Sequence, residues 1–244
     1  MQDLKNFKNI MTGYFKKHNL QEMFGTLAPK YDKINGILSL GTHHLWNRVF
    51  IRMLGSADHL LDLCSGTGKV ALSYVRTYPG SSATLIDFSS EMLQIAKKRA
   101  PQNVELTFLH RDVSTLPLES SSQTLASMAY GLRNLSEKTA ALKEVFRVLK
   151  PGGRFGILEL TQARGLLHSL HSCYLKIMVP KIGKFFSHHP NAYQYLSESI
   201  HNLPKDHELE QLFLQAGFQL KKKNKFFSGV ATIWLLEKTL KSSL

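Results

Sequence analysis

Between His59 and Leu160, short apolar runs alternate with stretches whose apolar residues recur every three or four positions, and no other feature of the sequence constrains the fold so tightly. Strands separated by amphipathic helices build βαβ units, and βαβ units build a parallel sheet. The runs His59–Leu63, Ala83–Ile86, Val104–Leu109, Thr124–Ala129 and Arg154–Leu160 are the five predicted strands. A first helix passes through Leu72 and Val75. A second, SSEMLQIAKKRA, is capped by Ser89 or Ser90, carries Met92, Leu93 and Ala96 on one face, and ends in basic residues that suit the helix dipole. A third spans Ser136–Lys150, with Leu142, Val145, Phe146 and Leu149 on its inner side, and is stopped by Pro151-Gly152-Gly153.

Beyond Leu160 the rhythm changes. Leu166–His201 has helical spacing broken at Pro180 and Pro190 and reads as an inserted cap. Lys205–Ala216 is a helix with Leu209, Leu212, Phe213 and Ala216 facing inward and Gly217 ending it. Phe218–Phe227 and Val230–Glu237 then form an antiparallel hairpin through Ser228-Gly229. The expected organisation is a single domain over residues 1–244: a helical lid (1–55), a ligand-binding core (56–160), a helical cap (161–204), and a C-terminal helix with the hairpin (205–244).

Cys64 and Cys173 form no CxxC or CxxxC pair, so neither a disulfide framework nor a zinc spacing is predicted, and a reducing cytoplasm fits best. No run approaches the apolar length of a membrane span, and the N-terminal segment mixes Lys with Phe, Ile and Met where a signal peptide would carry an apolar core. The charge is distinctive: 31 Lys+Arg against 18 Asp+Glu, a net +13. Nucleic acid or an anionic membrane would each answer it. The basic residues fall in three groups, Lys5 to Lys17, Lys176 to Lys184, and Lys221, Lys222, Lys223 and Lys225, each interleaved with aromatic and aliphatic residues. That interleaving favours lipid headgroups over nucleic acid, against the simpler reading of solvated lysines. The expectation is a cytoplasmic protein that meets the inner membrane face peripherally, with a homodimer left open.

The segment Leu60-Leu61-Asp62-Leu63-Cys64-Ser65-Gly66-Thr67-Gly68 runs a strand into a Gly-rich turn and a helix. Glycines serve where backbone passes close to a ligand or a helix packs tightly on its strand. Asp87, about twenty residues on at the next strand end, can accept both hydroxyls of a ribose. Gly66, Gly68 and Ala71 also satisfy the dinucleotide form of the motif, so an NAD-dependent oxidoreductase competes. Three features favour S-adenosylmethionine. Almost sixty residues precede the first strand, Asp112 with Val113 follows the third strand where class I methyltransferases hold the adenine, and Leu149-Lys150-Pro151-Gly152-Gly153 with a terminal hairpin resembles their core. Broad patterns for that class place Gly where Cys64 stands. Asp62 either orients the loop or meets the methionine amino group.

The resemblance narrows further in the stretch from Tyr31 to Trp46 (YDKINGILSLGTHHLW), in Arg147–Gly153, in Gly131-Leu132-Arg133-Asn134 and in Ala192–Ile200. From about Phe24 to Glu237 the chain resembles the C-methyltransferase family of menaquinone and ubiquinone biosynthesis. The resemblance implies a Rossmann-like, mostly parallel α/β sheet with an antiparallel C-terminal hairpin and a helical cap. It implies methyl transfer from S-adenosylmethionine to a ring carbon of a polyprenyl quinol, a demethylmenaquinol ahead of a benzoquinol, without a metal. It puts Asp62, Gly66, Thr67, Gly68, Asp87, Asp112, Val113, Ala129 and Tyr31 around the cofactor, although Ala129 stands where the family has a cofactor-touching Ser. Tyr31, Asp32 and Asn35 would close a lid. Arg133 would stabilise a quinolate, Tyr193 and Tyr195 would hydrogen-bond the quinol oxygens, and His43 or His44 would accept a proton. The prenyl tail would lie along the apolar stretch Tyr174–Phe186. The rivals are a methyltransferase of another small molecule or lipid, and a noncatalytic cofactor-binding protein.

Overall fold

Near-continuous burial along the central strands and one-sided burial along the helices between them mark a sheet covered on both faces. A computed structural model describes residues 20–163, 165, 167–179 and 190–239, with the side chains at 176 and 190–193 excepted. The sheet has seven strands in the order β3-β2-β1-β4-β5-β7-β6. They are β1 (His59–Leu63), β2 (Ser82–Asp87), β3 (Leu106–His110), β4 (Gln123–Ala129), β5 (Leu149–Leu160), β6 (Phe218–Phe226) and β7 (Ala231–Lys238). The first five are parallel, and β7 runs antiparallel to both β5 and β6.

Nine helices are described: α1 (residues 20–27), α2 (Tyr31–Leu38), α3 (His43–Leu54), α4 (Lys69–Thr77), α5 (Ser90–Arg99), α6 (Lys138–Val148), α7 (Leu167–Cys173), α8 (Pro190–His201) and α9 (Asp206–Gln215). On one face of the sheet Trp46, Phe50 and Leu54 of α3 and Tyr74 of α4 pack with Leu60, Leu85 and Leu158. On the other, Leu142 and Val145 of α6 and Phe213 of α9 pack with Leu61, Phe155 and Trp234. Adjacent strand residues such as Leu60 and Leu61 therefore serve opposite cores, as a strand period of two demands.

Gly156 marks the tightest approach. A Cβ there would fall on Leu54 Cδ2 and lie 2.9 Å from Phe50 Cε2. Gly156→Ala should lower stability by about 1–3 kcal/mol in urea denaturation, the usual penalty for overpacking a dense core; an unchanged midpoint would refute this packing.

Several boundaries differ from the sequence expectation. Ser89, not Ser90, is the cap: its Oγ accepts from Met92 N at 3.3 Å. The helix expected to reach Lys150 stops at Val148, and Pro151-Gly152-Gly153 lies within β5, beside a register shift between Gln123 and Leu125 of β4. Gln123 already pairs with Leu149, so sheet bonding captures the backbone before the glycines are reached. The hairpin turn is a 3₁₀ turn, Phe227–Gly229, not a two-residue link. The lid and the cap, expected as separate pieces, form one helical layer. Leu27 of α1 and Ile34 and Leu38 of α2 pack with Leu175 and Val179 of the insert and with Leu196 and Ile200 of α8.

Candidate active site

Strand order reverses between β1 and β4, and in sheets of this kind the crevice outside the carboxyl ends at that switch point receives ligands. The turn after β1 begins with Cys64 at φ 52° and continues through Gly66 at φ 54° and Gly68 at φ 78°. A left-handed conformation at position 64 explains why broad patterns carry Gly there. Gly68 packs: a Cβ would stand 3.0 Å from Ala96 Cβ. Gly66 faces open space, with no atom within 4 Å of its Cβ position.

Two acids hold this turn. Asp62, buried, accepts from Ser127 Oγ at 2.6 Å and from Ala71 N at 3.2 Å, so it braces β1 against β4 and α4. Of the two roles weighed for it, the geometry supports loop orientation; burial pushes its carboxyl up to about 7. Asp87, at the end of β2, accepts from Gly66 N at 2.7 Å and Ser89 N at 2.9 Å, and burial raises its carboxyl to about 6.

A cleft of about 550 Å³ opens here, and Gly66, Asp87, Asp112, Val113, Ala129 and Tyr31 line it. Asp112 receives Ser114 N at 2.7 Å, which fixes the loop after β3. Three expected cofactor residues stand elsewhere. Gly68 is taken up by packing, whereas Asp62 and Thr67 line a neighbouring chamber. Thr67 is also committed to the lid, because its hydroxyl donates to Asp32 Oδ1 at 3.0 Å. Asp32 in addition pairs with Arg99 and, at 3.6 Å, with Lys69, so one carboxylate on α2 gathers α4, α5 and the Gly-rich turn.

The neighbouring chamber, about 130 Å³, is mainly apolar, with Leu38, Leu160, Leu175, Val179, Leu196 and Ile200 in its wall. It shares Tyr31, Cys64, Gly66, Ala129, Tyr130 and Arg133 with the cleft. Arg133 follows β4 in a 3₁₀ turn, Leu132–Asn134. Its Nη1 donates at 2.6 Å to both Glu159 Oε1 and Tyr130 O, and its backbone N donates to Glu159 Oε2 at 3.0 Å. The ion pair is buried, 5% and 0% exposed. Burial works against the guanidinium charge, but Glu159 outweighs it and the pKa is raised. Tyr130, at φ 59°, donates to Asn47 Oδ1 at 2.8 Å.

Two expected substrate residues, His43 and Tyr195, have the following surroundings. His43 is buried and its pKa falls to about 4 through burial and the charge of Lys69. Lys69 Nζ stands 3.3 Å from Nε2, and Nδ1 lies 2.7 Å from Ser39 Oγ, so the ring is a neutral link in a chain and a poor proton acceptor at neutral pH. His44 stacks against it with ring centroids 4.0 Å apart. Tyr195 lines the cleft, not the apolar chamber, and donates to Asn134 Oδ1 at 3.1 Å. The Tyr193 side chain lies outside the described residues, as do Ile182, Phe185 and Phe186 of the expected tail-binding stretch.

Glu159, Tyr130, Asn47 and Lys69 were not anticipated. The one available signal was Glu159, a lone acid in the apolar strand ILEL. Of the three basic groups only the last is described with its side chains, and there Lys221 pairs with Glu237 at 3.3 Å, Lys225 with Asp206 at 2.6 Å, and Lys223 with Asp206 at 3.0 Å and with Glu210. Lys223 and Lys225 brace β6 to α9 and Lys221 pairs within the hairpin, which weakens their reading as a headgroup surface. Among the described residues no helix is long and apolar enough to cross a membrane.

Comparison with known proteins agrees with this architecture. Residues 12–238 match the model of the ubiE/COQ5 methyltransferase family. A Chlamydia caviae protein named demethylmenaquinone methyltransferase is 57% identical over 91% of this chain and 97% of its own length. A protein of the same name from Chlamydia trachomatis serovar D is 53% identical over 93% of this chain and all of its own. Among solved structures, a SAM-dependent methyltransferase from Thermotoga maritima superposes with a TM-score of 0.63 at 18% identity, covering 89% of this chain and 99% of that one, a likeness of fold alone.

Proposed function

The chain belongs to the ubiE/COQ5 methyltransferase family, and from that premise we propose that it methylates a ring carbon of a polyprenyl quinol with S-adenosylmethionine, a demethylmenaquinol being the preferred acceptor. The observation that carries this reading is the shared wall. A polar cleft suited to a nucleoside and an apolar chamber suited to a prenylated ring meet at Tyr31, Gly66, Ala129 and Arg133.

The residues of the cleft fit the cofactor. Asp87 offers a carboxylate to ribose hydroxyls, and Gly66 leaves the space a Cβ would fill. When bound, the cofactor supplies an electrophilic methyl group on a sulfonium. The acceptor carbon becomes nucleophilic as the adjacent hydroxyl ionises, and an ordinary phenol holds its proton until a pH of about 10. Arg133, fixed by Glu159, favours that ionisation by placing a permanent positive charge at the boundary. One proton is released in all: the hydroxyl proton passes to solvent or an ordered water, since Arg133 stays protonated and His43 is a weak base, and after methyl transfer the proton lost from the ring carbon restores the hydroxyl. The apolar wall of Leu175, Val179 and Ile200 excludes water and receives the first part of the prenyl chain. Leu170, 68% exposed, and Ile177 and Met178, both 48% exposed, extend along the same insert and support peripheral contact with a membrane.

The test is a methyl-transfer assay on the purified protein with labelled S-adenosylmethionine and either demethylmenaquinol or a methoxy-polyprenyl-benzoquinol in detergent. Label in demethylmenaquinol is expected; label in neither quinol, with the cofactor still bound, would assign the protein to another acceptor.

A pH dependence follows from Asp87. Its proton is retained in the folded protein up to about 6, above the unfolded carboxyl value, so this group favours the empty folded state at low pH and loses that contribution as pH rises through 6. Ribose binding needs the ionised carboxylate and so has the opposite sign. The cofactor Kd should be about tenfold weaker at pH 5 than at pH 7.5, and Asp87→Asn should flatten the dependence. A slope that survives in the variant would move the titration to Asp62.

A further inference from the structure

Three residues that line the apolar chamber each carry a buried side-chain atom with no hydrogen-bond partner among the described residues: Trp46 (Nε1), Ser65 (Oγ) and Arg133 (Nε). Buried polar atoms are paired in the large majority of cases, so three orphans around one cavity point to a ligand that completes them. Trp and Arg nitrogens can only donate, which makes the missing partners acceptors. Trp46 is 3% exposed and packs tilted against Phe226, ring centroids 6.2 Å apart, so its indole N–H has no route to bulk water.

The carriers of two of these donors are tied together. Asn47, the neighbour of Trp46 on α3, accepts from Tyr130 Oη at 2.8 Å, and Tyr130 O accepts from Arg133 Nη1 at 2.6 Å. The bonds tie α3, beside Trp46, to the turn that carries Arg133. Arg133 lines both cavities, whereas Trp46 lines the apolar chamber and not the cofactor cleft. A para-quinol carries one oxygen at each end of its ring. We propose that Trp46 donates its indole N–H to the quinol oxygen remote from the methylated carbon, while Arg133 serves the oxygen adjacent to it. Trp46 is then the specificity residue that selects a 1,4-diol over a simple phenol or naphthol. The assignment rests on the quinol reading above.

The test compares two acceptors in the presence of S-adenosylmethionine: demethylmenaquinol, and a 3-polyprenyl-1-naphthol that keeps the hydroxyl beside the reacting carbon and has hydrogen at the remote position. Trp46→Phe removes the N–H and keeps an aromatic ring. The variant should lower kcat/KM for the quinol about tenfold, the value of one buried hydrogen bond, and leave the naphthol within about threefold. Differences in intrinsic ring reactivity are common to both enzymes and cancel in the ratio. Equal losses on both acceptors would assign Trp46 to packing, and no loss on either would remove it from the site; both overturn the proposal. Turnover of neither acceptor by the unaltered protein would instead bring down the quinol reading itself.

A second measurement covers the case in which Trp46→Phe does not fold. The chain has two tryptophans, and Trp234 Nε1 already donates to Glu210 at 3.0 Å. In ¹⁵N-labelled unaltered protein, the Trp46 indole proton should therefore move downfield on addition of the quinol and not of the naphthol, with the Trp234 signal still. A Trp46 signal that responds alike to both ligands, or to neither, overturns the assignment.

Discussion

Arg133→Met should destabilise the protein by about 3–5 kcal/mol, because it strands the Glu159 carboxylate in a site from which water is excluded. Glu159→Gln should do the same from the other side. The double variant Arg133→Met/Glu159→Gln should regain more than half of the loss: both charges are gone, and the Gln oxygen can still accept from one of the two backbone N–H groups, of Arg133 and Leu160, that Glu159 now serves. Turnover should not return with stability. Removing the guanidinium is expected to lower kcat by about 10²–10³, the scale of one oxyanion donor. Urea denaturation and single-turnover methylation measure the two quantities separately. A double variant no more stable than the singles would show that the pair's charges are not what holds this corner, and a double variant with full kcat would remove Arg133 from the chemistry.

Asp87→Ala should weaken cofactor affinity at pH 7.5 by at least about 10²-fold. The carboxylate is asked for two tasks at once, to receive ribose hydroxyls and to hold Gly66 N and Ser89 N, and charge-assisted hydrogen bonds contribute about 1.5–3 kcal/mol each. Calorimetric titration with S-adenosylmethionine measures the loss. Thermal stability should change little, since relieving a buried carboxyl whose pKa has been raised to about 6 offsets part of the lost loop bonding. An affinity change under tenfold would move the ribose away from β2.

The sequence announces what is decided locally. The Gly-rich turn, Asp87 at a strand end, the cap at Ser89 and the first four parallel strands depend on residues within a few positions of one another, and they stand where spacing and propensity put them to within about two residues, whereas β5 begins five residues before its expected start. What depends on distant partners was not legible. Arg133 meets Glu159 across 26 residues, Tyr130 meets Asn47 across 83, and Lys223 and Lys225 become a brace once α9 delivers Asp206 and Glu210. His43 shows the same limit in reverse. Residue type made it a candidate base, whereas the neighbouring Lys69 and burial decide that it stays neutral. At β5 the stop signal Pro151-Gly152-Gly153 is real, but it bends a strand that has already begun instead of ending a helix.

The strand order at the right-hand side of the sheet has a consequence for synthesis. β6 precedes β7 in the chain, yet its place is outside β7, which alone touches β5. β6 therefore has no partner in the sheet until Ala231–Lys238 exists to pair with it, and β5 keeps an open edge until the same residues are made. Trp234 and Leu236, both fully buried, arrive in that last step. A chain that lacks β7 exposes the edge of β5 and the apolar face of α9, surfaces of the kind that favour wrong association.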